Sequence, residues 1–210
     1  MSVSKMEEGK VFVVSGPSGS GKGTVIGILQ EIYTGMEVAV SATTRAPREG
    51  EAEGVNYFYK TKAEFEELIK NDEVLEYTIY NGNYYGTLKS EAERITEKGK
   101  DLVLEIEVNG CGQMKRKLGS RCVAIMLTAP DSQELERRLR GRGTETEDEI
   151  QRRLRRALDE VKEVTKYDYL LINENGKADK CAEDLLAVIT AERLKADRAE
   201  EYLRENYPEI

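Results

Sequence analysis

A lysine and a threonine at the end of a glycine-rich run are the first residues in this chain that could do chemistry. The run is Gly16-Pro17-Ser18-Gly19-Ser20-Gly21-Lys22-Gly23-Thr24. Successive backbone N–H groups in such a turn, ending at a helix N-terminus, form a concave anion site. Lys22 adds a mobile positive charge suited to the β- and γ-phosphates of a nucleotide. The spacing of Gly16, Gly21 and Lys22 fits G-x-x-x-x-G-K followed by Ser or Thr, whose hydroxyl touches a magnesium ion. Here Gly23 follows the lysine, and the hydroxyl arrives one position late on Thr24. The bland alternative is an ordinary strand-to-helix turn. Four glycines, a lysine and the right flanking segments argue against it.

Four other groups have chemical potential. In "SATTRAPR", Arg45 and Arg48 stand three apart on a Pro-containing loop, with hydroxyls from Ser41, Thr43 and Thr44. Arginine forks match phosphate oxygens bidentately, although two arginines on a polar loop are more often a solvated surface. In "EYTIYNGNYYGT", Glu76 opens a stretch that closes with Tyr84, Tyr85 and Thr87. Such tyrosines commonly just pack. A carboxylate converging with hydroxyls would instead read a base edge: guanine offers N1–H and an exocyclic NH2 side by side, and adenine has no donor at N1. The third group is the arginine set between Arg137 and Arg156, balanced by Glu145, Glu147, Asp148 and Glu149. It reads either as a charged helix surface or as a lid, with Arg142 between two glycines as a hinge; arginines that close over phosphates strongly assist phosphoryl transfer. The fourth is "LEIEVNG", in which Glu105 and Glu107 fall on one face of an expected strand. That face is either a magnesium partner near the phosphate loop or a strand end emerging into solvent.

The elements around these groups alternate. "VFVVSG" (11–16) is an apolar β-branched run ending in glycine, and the stretch from Lys22 to Tyr33 spaces its apolar residues as a helix does. "DLVLEIEV" (101–108), "CVAIMLTA" (122–129) and "YDYLLIN" (167–173) are further strand-like runs. "DSQELERRLR" (131–140) and "TEDEIQRRLRRALDEVKEV" (146–164) read as helices, the second opened by a Thr146/Glu149 capping box. Strands alternating with helices predict an α/β fold with a mostly parallel sheet and helices on both faces. Residues 41–87 differ: a turn-rich stretch, a short strand in "VNYFYK", a capped helix in "TKAEFEELIKND" and an Asn81-Gly82 hairpin signal. They read as a small α+β insertion. A mainly helical tail is expected from Ala178 to Glu205.

Composition excludes several function classes. The 210 residues carry a net charge of −8, without the basic footprint of a nonspecific nucleic-acid binder. No apolar run approaches the ~18 residues of a membrane span, and the first ten residues lack an apolar signal core. Cys111, Cys122 and Cys181 form neither a disulfide framework nor a zinc pattern, which predicts a reducing cytoplasm. The chain contains no histidine, so catalytic triads, His-ligated metals and His bases are excluded.

Taken in order and spacing, "GPSGSGKGT", "SATTRAPREGE", "GVNYFY", "GNYYGT", "LEIEVNG" and "RLRGRGTE" resemble the guanylate kinase family, with the likeness running from about Lys10 to Ala191. The resemblance implies a cytoplasmic ATP:GMP phosphotransferase of purine nucleotide metabolism, requiring Mg2+ with ATP as donor and accepting GMP and dGMP, as a monomer or homodimer. It implies a P-loop nucleoside monophosphate kinase fold: a core of 1–40, 88–136 and 165–210, a GMP-binding insertion of 41–87 and a helical lid of 137–164. Ser41, Glu76 and Thr87 would contact guanine, with Glu107 beside them. Arg45, Arg48, Tyr57 and Tyr85 would hold the GMP phosphate. The run from Gly16 to Thr24, with Arg138, Arg142 and Asn173, would bind ATP, and Lys22, Arg45, Arg142 and Arg153 would be catalytic. Thr24 and Glu105 would reach the metal through water. The sequence departs from the family pattern in Gly23 for Ser or Thr, Glu107 for Asp, Asn109 for Gln, and "NEN" at 173–175. "GKGT" also resembles adenylate kinases. A rival is the scaffold module of this family that binds phosphorylated peptides, but such modules usually lack an intact phosphate loop.

Overall fold

A computed structural model describes residues 8–141, 146–196 and positions 203, 204, 206, 207 and 209. Its centre is a five-stranded sheet made of β1 (Val11–Ser15), β2 (Met36–Val38), β7 (Asp101–Glu105), β8 (Cys122–Thr128) and β9 (Tyr169–Ile172). The strand order is β2-β7-β1-β8-β9 and every pairing is parallel. Parallel neighbours require crossovers, and helices supply them on both faces.

Alternation along β1 divides the core. Phe12 and Val14 face α1 (Lys22–Ile32) and α7 (Ala178–Arg193), meeting Val25, Leu29 and Leu185. Val11 and Val13 face the other way, with Leu102, Ile95 and Met114, onto α3 (Lys89–Thr96) and α4 (Val108–Leu118). β1 therefore has no solvent face. The chain passes from β1 to β2 on one side, and β8 lies on the other. The crevice at the carboxyl ends of strands around such a switch point is where open α/β sheets bind ligands.

A second sheet has the order β4-β3-β6-β5: β3 (Ala42–Thr43), β4 (Phe58–Tyr59), β5 (Val74–Tyr80) and β6 (Asn83–Leu88). β5 and β6 form the expected hairpin, with Asn81 at φ 48° and Gly82 at φ 78° in its turn. α2 (Lys62–Lys70) covers this sheet through Phe65, which is fully buried with Ala42, Val74 and Leu88. Its start is fixed by a Thr61/Glu64 capping box, and a Thr146/Glu149 box starts α6 (Glu147–Lys162) in the same way. α5 (Ser132–Arg140) packs on α6 through Leu135 and Ala157.

One expectation is corrected. The strand read over 101–108 stops at Glu105, and Glu107 is the N-cap position of α4. Glu105 and Glu107 therefore do not share a strand face. The run of apolar and acidic residues carries no local stop signal, but pairing with β1 ends at Val14↔Glu105 and the chain must turn to cross the sheet. Among the described residues no helix is long and apolar enough to cross a membrane.

Candidate active site

The loop after β1 is shaped by its glycines. Gly16 has φ +145°, and a Cβ there would lie 2.1 Å from Leu127 O on the neighbouring strand. Gly21 has φ +88°, and a Cβ would lie 2.5 Å from Asn173 Nδ2. Neither position tolerates a side chain, so the backbone can curl against β8 and the β9 end before entering α1. The helix begins at Lys22, with Gly21 as its left-handed N-cap and no side chain closing that end. Its first N–H groups and dipole are left for an anion. Lys22 Nζ donates to Gly16 O at 2.8 Å and to Pro17 O at 3.2 Å, which arches the side chain back over the loop.

Three residues from distant chain brace the loop. Asn173 is 5% exposed and donates through Nδ2 to Ser20 O at 2.9 Å. Arg138, on α5, donates to Ser20 O at 3.2 Å and to Asn173 O at 2.8 Å, with Glu134 pairing its Nε. Arg153, on α6, donates to Ser18 Oγ. Arg138, Arg153 and Asn173 are thus all joined to the phosphate loop. Arg142 lies outside the described residues.

The loop forms one wall of a cleft of about 1400 Å3. The opposite wall comes from the second sheet: Ser41, Tyr57, Glu76, Thr78 and Tyr85. Glu76 is 5% exposed, and Thr87 Oγ1 donates to its Oε1 at 2.8 Å. Burial holds the Glu76 carboxyl above the usual carboxylate range, Thr87's hydrogen bonds oppose that rise, and the charge of Glu107 adds to it. Glu105, Glu107, Lys22, Gly23 and Thr24 lie along the floor between the walls. Single-ligand pockets run from about 300 to 1,000 Å3, so this cleft has room for two ligands side by side.

Arg45 stands beside the second wall. Its Nη2 donates to Glu51 Oε1 at 2.9 Å, and its guanidinium lies 5.4 Å from the Tyr57 ring centre. Glu51 also accepts from Arg48 N and from Tyr59 OH, each at 2.8 Å. Those donors, Arg45 first, hold the Glu51 carboxyl at about 2, well below the usual range. Tyr57 meets Tyr85 edge-on at 5.9 Å. Arg48 is exposed on the same loop, its backbone tied to Glu51.

Similar proteins are known by sequence and by structure. The family model described as guanylate kinase matches residues 8–192. The chain belongs to the guanylate kinase family. A guanylate kinase of Shouchella clausii is 47% identical over 194 residues, covering 92% of this chain and 93% of that protein. One of Fusobacterium nucleatum is 46% identical over 184 residues, covering 88% of this chain and 97% of the relative. The crystal structure of the guanylate kinase from Anaplasma phagocytophilum superposes with a TM-score of 0.71 at 29% identity, covering 96% of this chain and 97% of that one.

Within this guanylate kinase family member, residues expected at the acceptor and residues expected at the donor phosphates fall on facing walls, while Arg45, Arg48, Arg138 and Asn173 stand outside the lining. Ser41, Tyr57, Glu76 and Tyr85 line the cleft, and Thr87 stands behind Glu76. Glu107 reaches the floor from a helix start, where Arg156 Nη2 donates to it at 2.8 Å. Glu51 was missed by sequence reasoning, although it follows Arg48 by three residues in "RAPREGE" and its charge is the natural partner for that loop. Glu160 was also missed: it lines the cleft from α6, where burial pushes its carboxyl up and Arg156 opposes that rise. Its signal was only its place on the inner face of a charged helix.

Proposed function

We propose that this cleft transfers the γ-phosphoryl group of ATP to GMP, and to dGMP, giving ADP and the diphosphate. The observation that carries the reading is the pairing of a phosphate loop on one wall with the buried Glu76–Thr87 pair on the other, in one cleft. Phosphorylation of GMP by ATP is the family's activity; the roles of individual residues are our assignment.

The run from Gly16 to Thr24 takes the donor phosphates on its backbone N–H groups, and Lys22 swings from the Gly16 and Pro17 carbonyls onto the β- and γ-oxygens. Arg138, Arg142 and Arg153 close on the donor from the 137–164 lid, and Asn173 sits at the base end. The lid excludes water, which would otherwise take the phosphoryl group. Glu76 accepts both guanine donors, N1–H and the exocyclic NH2, while Ser41, Thr87 and Glu107 complete the base site. Binding those donors favours the ionised form of a carboxyl that burial has raised. Arg45, Arg48, Tyr57 and Tyr85 hold the acceptor phosphate. A nucleoside monophosphate has a second pKa near ~6, so its oxygen is already largely dianionic at pH 7 and needs no general base. This fits a chain without histidine. Catalysis then rests on alignment and charge neutralisation.

The donor set fits Mg2+ held chiefly by nucleotide and water. Thr24 and Glu105 present hard oxygen ligands on the floor beside Gly23, and no cluster of three or more metal-ligating side chains occurs among the described residues. When bound, the ion neutralises charge developing on the transferring group. A cytoplasmic setting is supported by three buried free thiols.

A coupled ADP-release assay with GMP, dGMP, AMP and UMP tests the proposal. Turnover confined to the two guanine nucleotides supports it. Turnover with AMP or UMP at equal efficiency, or none with any acceptor, overturns it; the second result is that of a phosphopeptide-binding module.

A further inference from the structure

Glu76 is carried on an edge strand, and an edge strand is a poor place to hold a base-reading carboxylate still. The outer side of β5 has no strand neighbour in its sheet. Helix α4, which belongs to the core, supplies one with side chains. Gly110, Gln113 and Lys117 recur at i, i+3 and i+7 and so share one face of α4. Each meets β5 in turn. Gln113 Oε1 accepts from Tyr77 N at 3.1 Å, and its Nε2 donates to Tyr77 O at 3.0 Å. One amide thus does what two ladder hydrogen bonds would do, on the residue next to Glu76. Lys117 Nζ donates to Val74 O at 2.6 Å, on the other side of a register shift between Val74 and Glu76.

Gly110 lies against the carboxylate itself. A Cβ at this position would stand 2.7 Å from Glu76 Oε2 and 3.2 Å from Ile106 Cδ1. Gly110 is buried, helical and free of a positive φ, so its backbone does not ask for glycine. A helix ordinarily prefers alanine there. What the position requires is space, and the group that fills the space is Glu76. On its other side the carboxylate is stopped by Thr87.

We propose that α4 sets acceptor specificity: Gly110 leaves the room in which the Glu76 carboxylate sits, and Gln113 fixes the strand that carries it. Both are positioning residues acting through Glu76. The inference rests on the assignment of Glu76 to guanine, and the experiment separates the two.

Steady-state kinetics and thermal melting are measured for Gly110→Ala, Gln113→Met, Glu76→Ala and the Gly110→Ala/Glu76→Ala double variant. Gly110→Ala pushes a hydrogen-bond acceptor out of place, so KM for GMP rises about tenfold or more while KM for ATP stays within about twofold. Selectivity is the readout that decides, because a Cβ pressed against Glu76 and Ile106 can lower Tm whatever its role; a merely structural role would disturb both substrates alike. In the Glu76→Ala background the same substitution has less than about a twofold further effect on GMP, since there is no carboxylate left to displace. Gln113→Met, which keeps the bulk and loses both amide bonds, also raises KM for GMP selectively. Unchanged KM for GMP in both folded single variants, an equal rise for ATP, or a Gly110→Ala effect that persists without Glu76 overturns the inference. If Gly110→Ala does not fold, Gln113→Met decides alone. If Glu76→Ala leaves GMP use unchanged, the assignment of Glu76 itself is wrong and the inference falls with it.

Discussion

Replacing Glu76 by glutamine should move folding and acceptor use in opposite directions. The substitution keeps the volume and exchanges one oxygen for NH2. Thr87 donates to Oε1 at 2.8 Å, so the amide oxygen keeps that side and the nitrogen takes the Oε2 position facing the base. Two donors then oppose each other at a side chain that is 5% exposed. A mispaired buried donor costs about 1–3 kcal/mol, which is roughly a tenfold to hundredfold loss in kcat/KM for GMP. Folding responds the other way. Burial raises the native Glu76 carboxyl, so the native state holds its proton more tightly than the unfolded chain. By linkage the wild type loses stability as pH rises from the unfolded value near ~4.3 through the raised native one, and the deficit is complete above it. Glu76→Gln removes that deficit. Its Tm should exceed the wild-type value at neutral pH, and the gap should close as pH falls below the unfolded value. Coupled ADP release, with GMP and ATP varied separately, gives the kinetic half; melting across pH gives the other. Unchanged kcat/KM for GMP, or a matching rise in KM for ATP, would refute the reasoning.

Lys22→Met removes the only side-chain charge on the loop and should cost about 10³-fold in kcat with the fold retained; survival of most activity would move the phosphate site elsewhere. Gly23→Ser should stay within about tenfold of wild type and keep its Mg2+ requirement, because Gly23 has a helical backbone and a Cβ would meet only the mobile tip of Glu105 at 3.2 Å. Turnover undiminished in EDTA would contradict the metal assignment. Proteolysis within residues 137–164 should slow when GMP and a nonhydrolysable ATP analogue are both present, since Arg138 and Arg153 already bond to the loop that binds them. Equal cleavage with and without the ligands would make this a static surface.

The parts of the fold that were legible in the sequence are those decided locally. Thr61/Glu64 and Thr146/Glu149 cap their helices within four residues of chain, and Asn81-Gly82 accepts the positive φ values that a tight hairpin needs. The apolar runs at Val11–Ser15 and Cys122–Thr128 read as strands because both faces are covered. What escaped depends on distant chain. α4 contains Asn109, Gly110 and Gly112, a poor helix by propensity, and it stands because Cys111 and Met114 pack on the sheet and Gln113 grips β5. β2 and β3 are too short to carry a pattern and exist by pairing with β7 and β6. The residues that line the two walls of the cleft, Gly16 to Thr24 on one side and Ser41, Tyr57, Glu76 and Tyr85 on the other, were legible as a set through their order and spacing. The bracing of Ser20 by Asn173 and Arg138 spans more than a hundred residues and leaves no local trace.

The most direct test of the account follows the phosphoryl group itself. The protein is incubated with ATP labelled at the γ-phosphate, Mg2+ and GMP, and the products are separated. The account predicts label in the β-phosphate of GDP, in amounts equal to the ADP formed and dependent on GMP. Label released as inorganic phosphate, or retained on the protein, would contradict it.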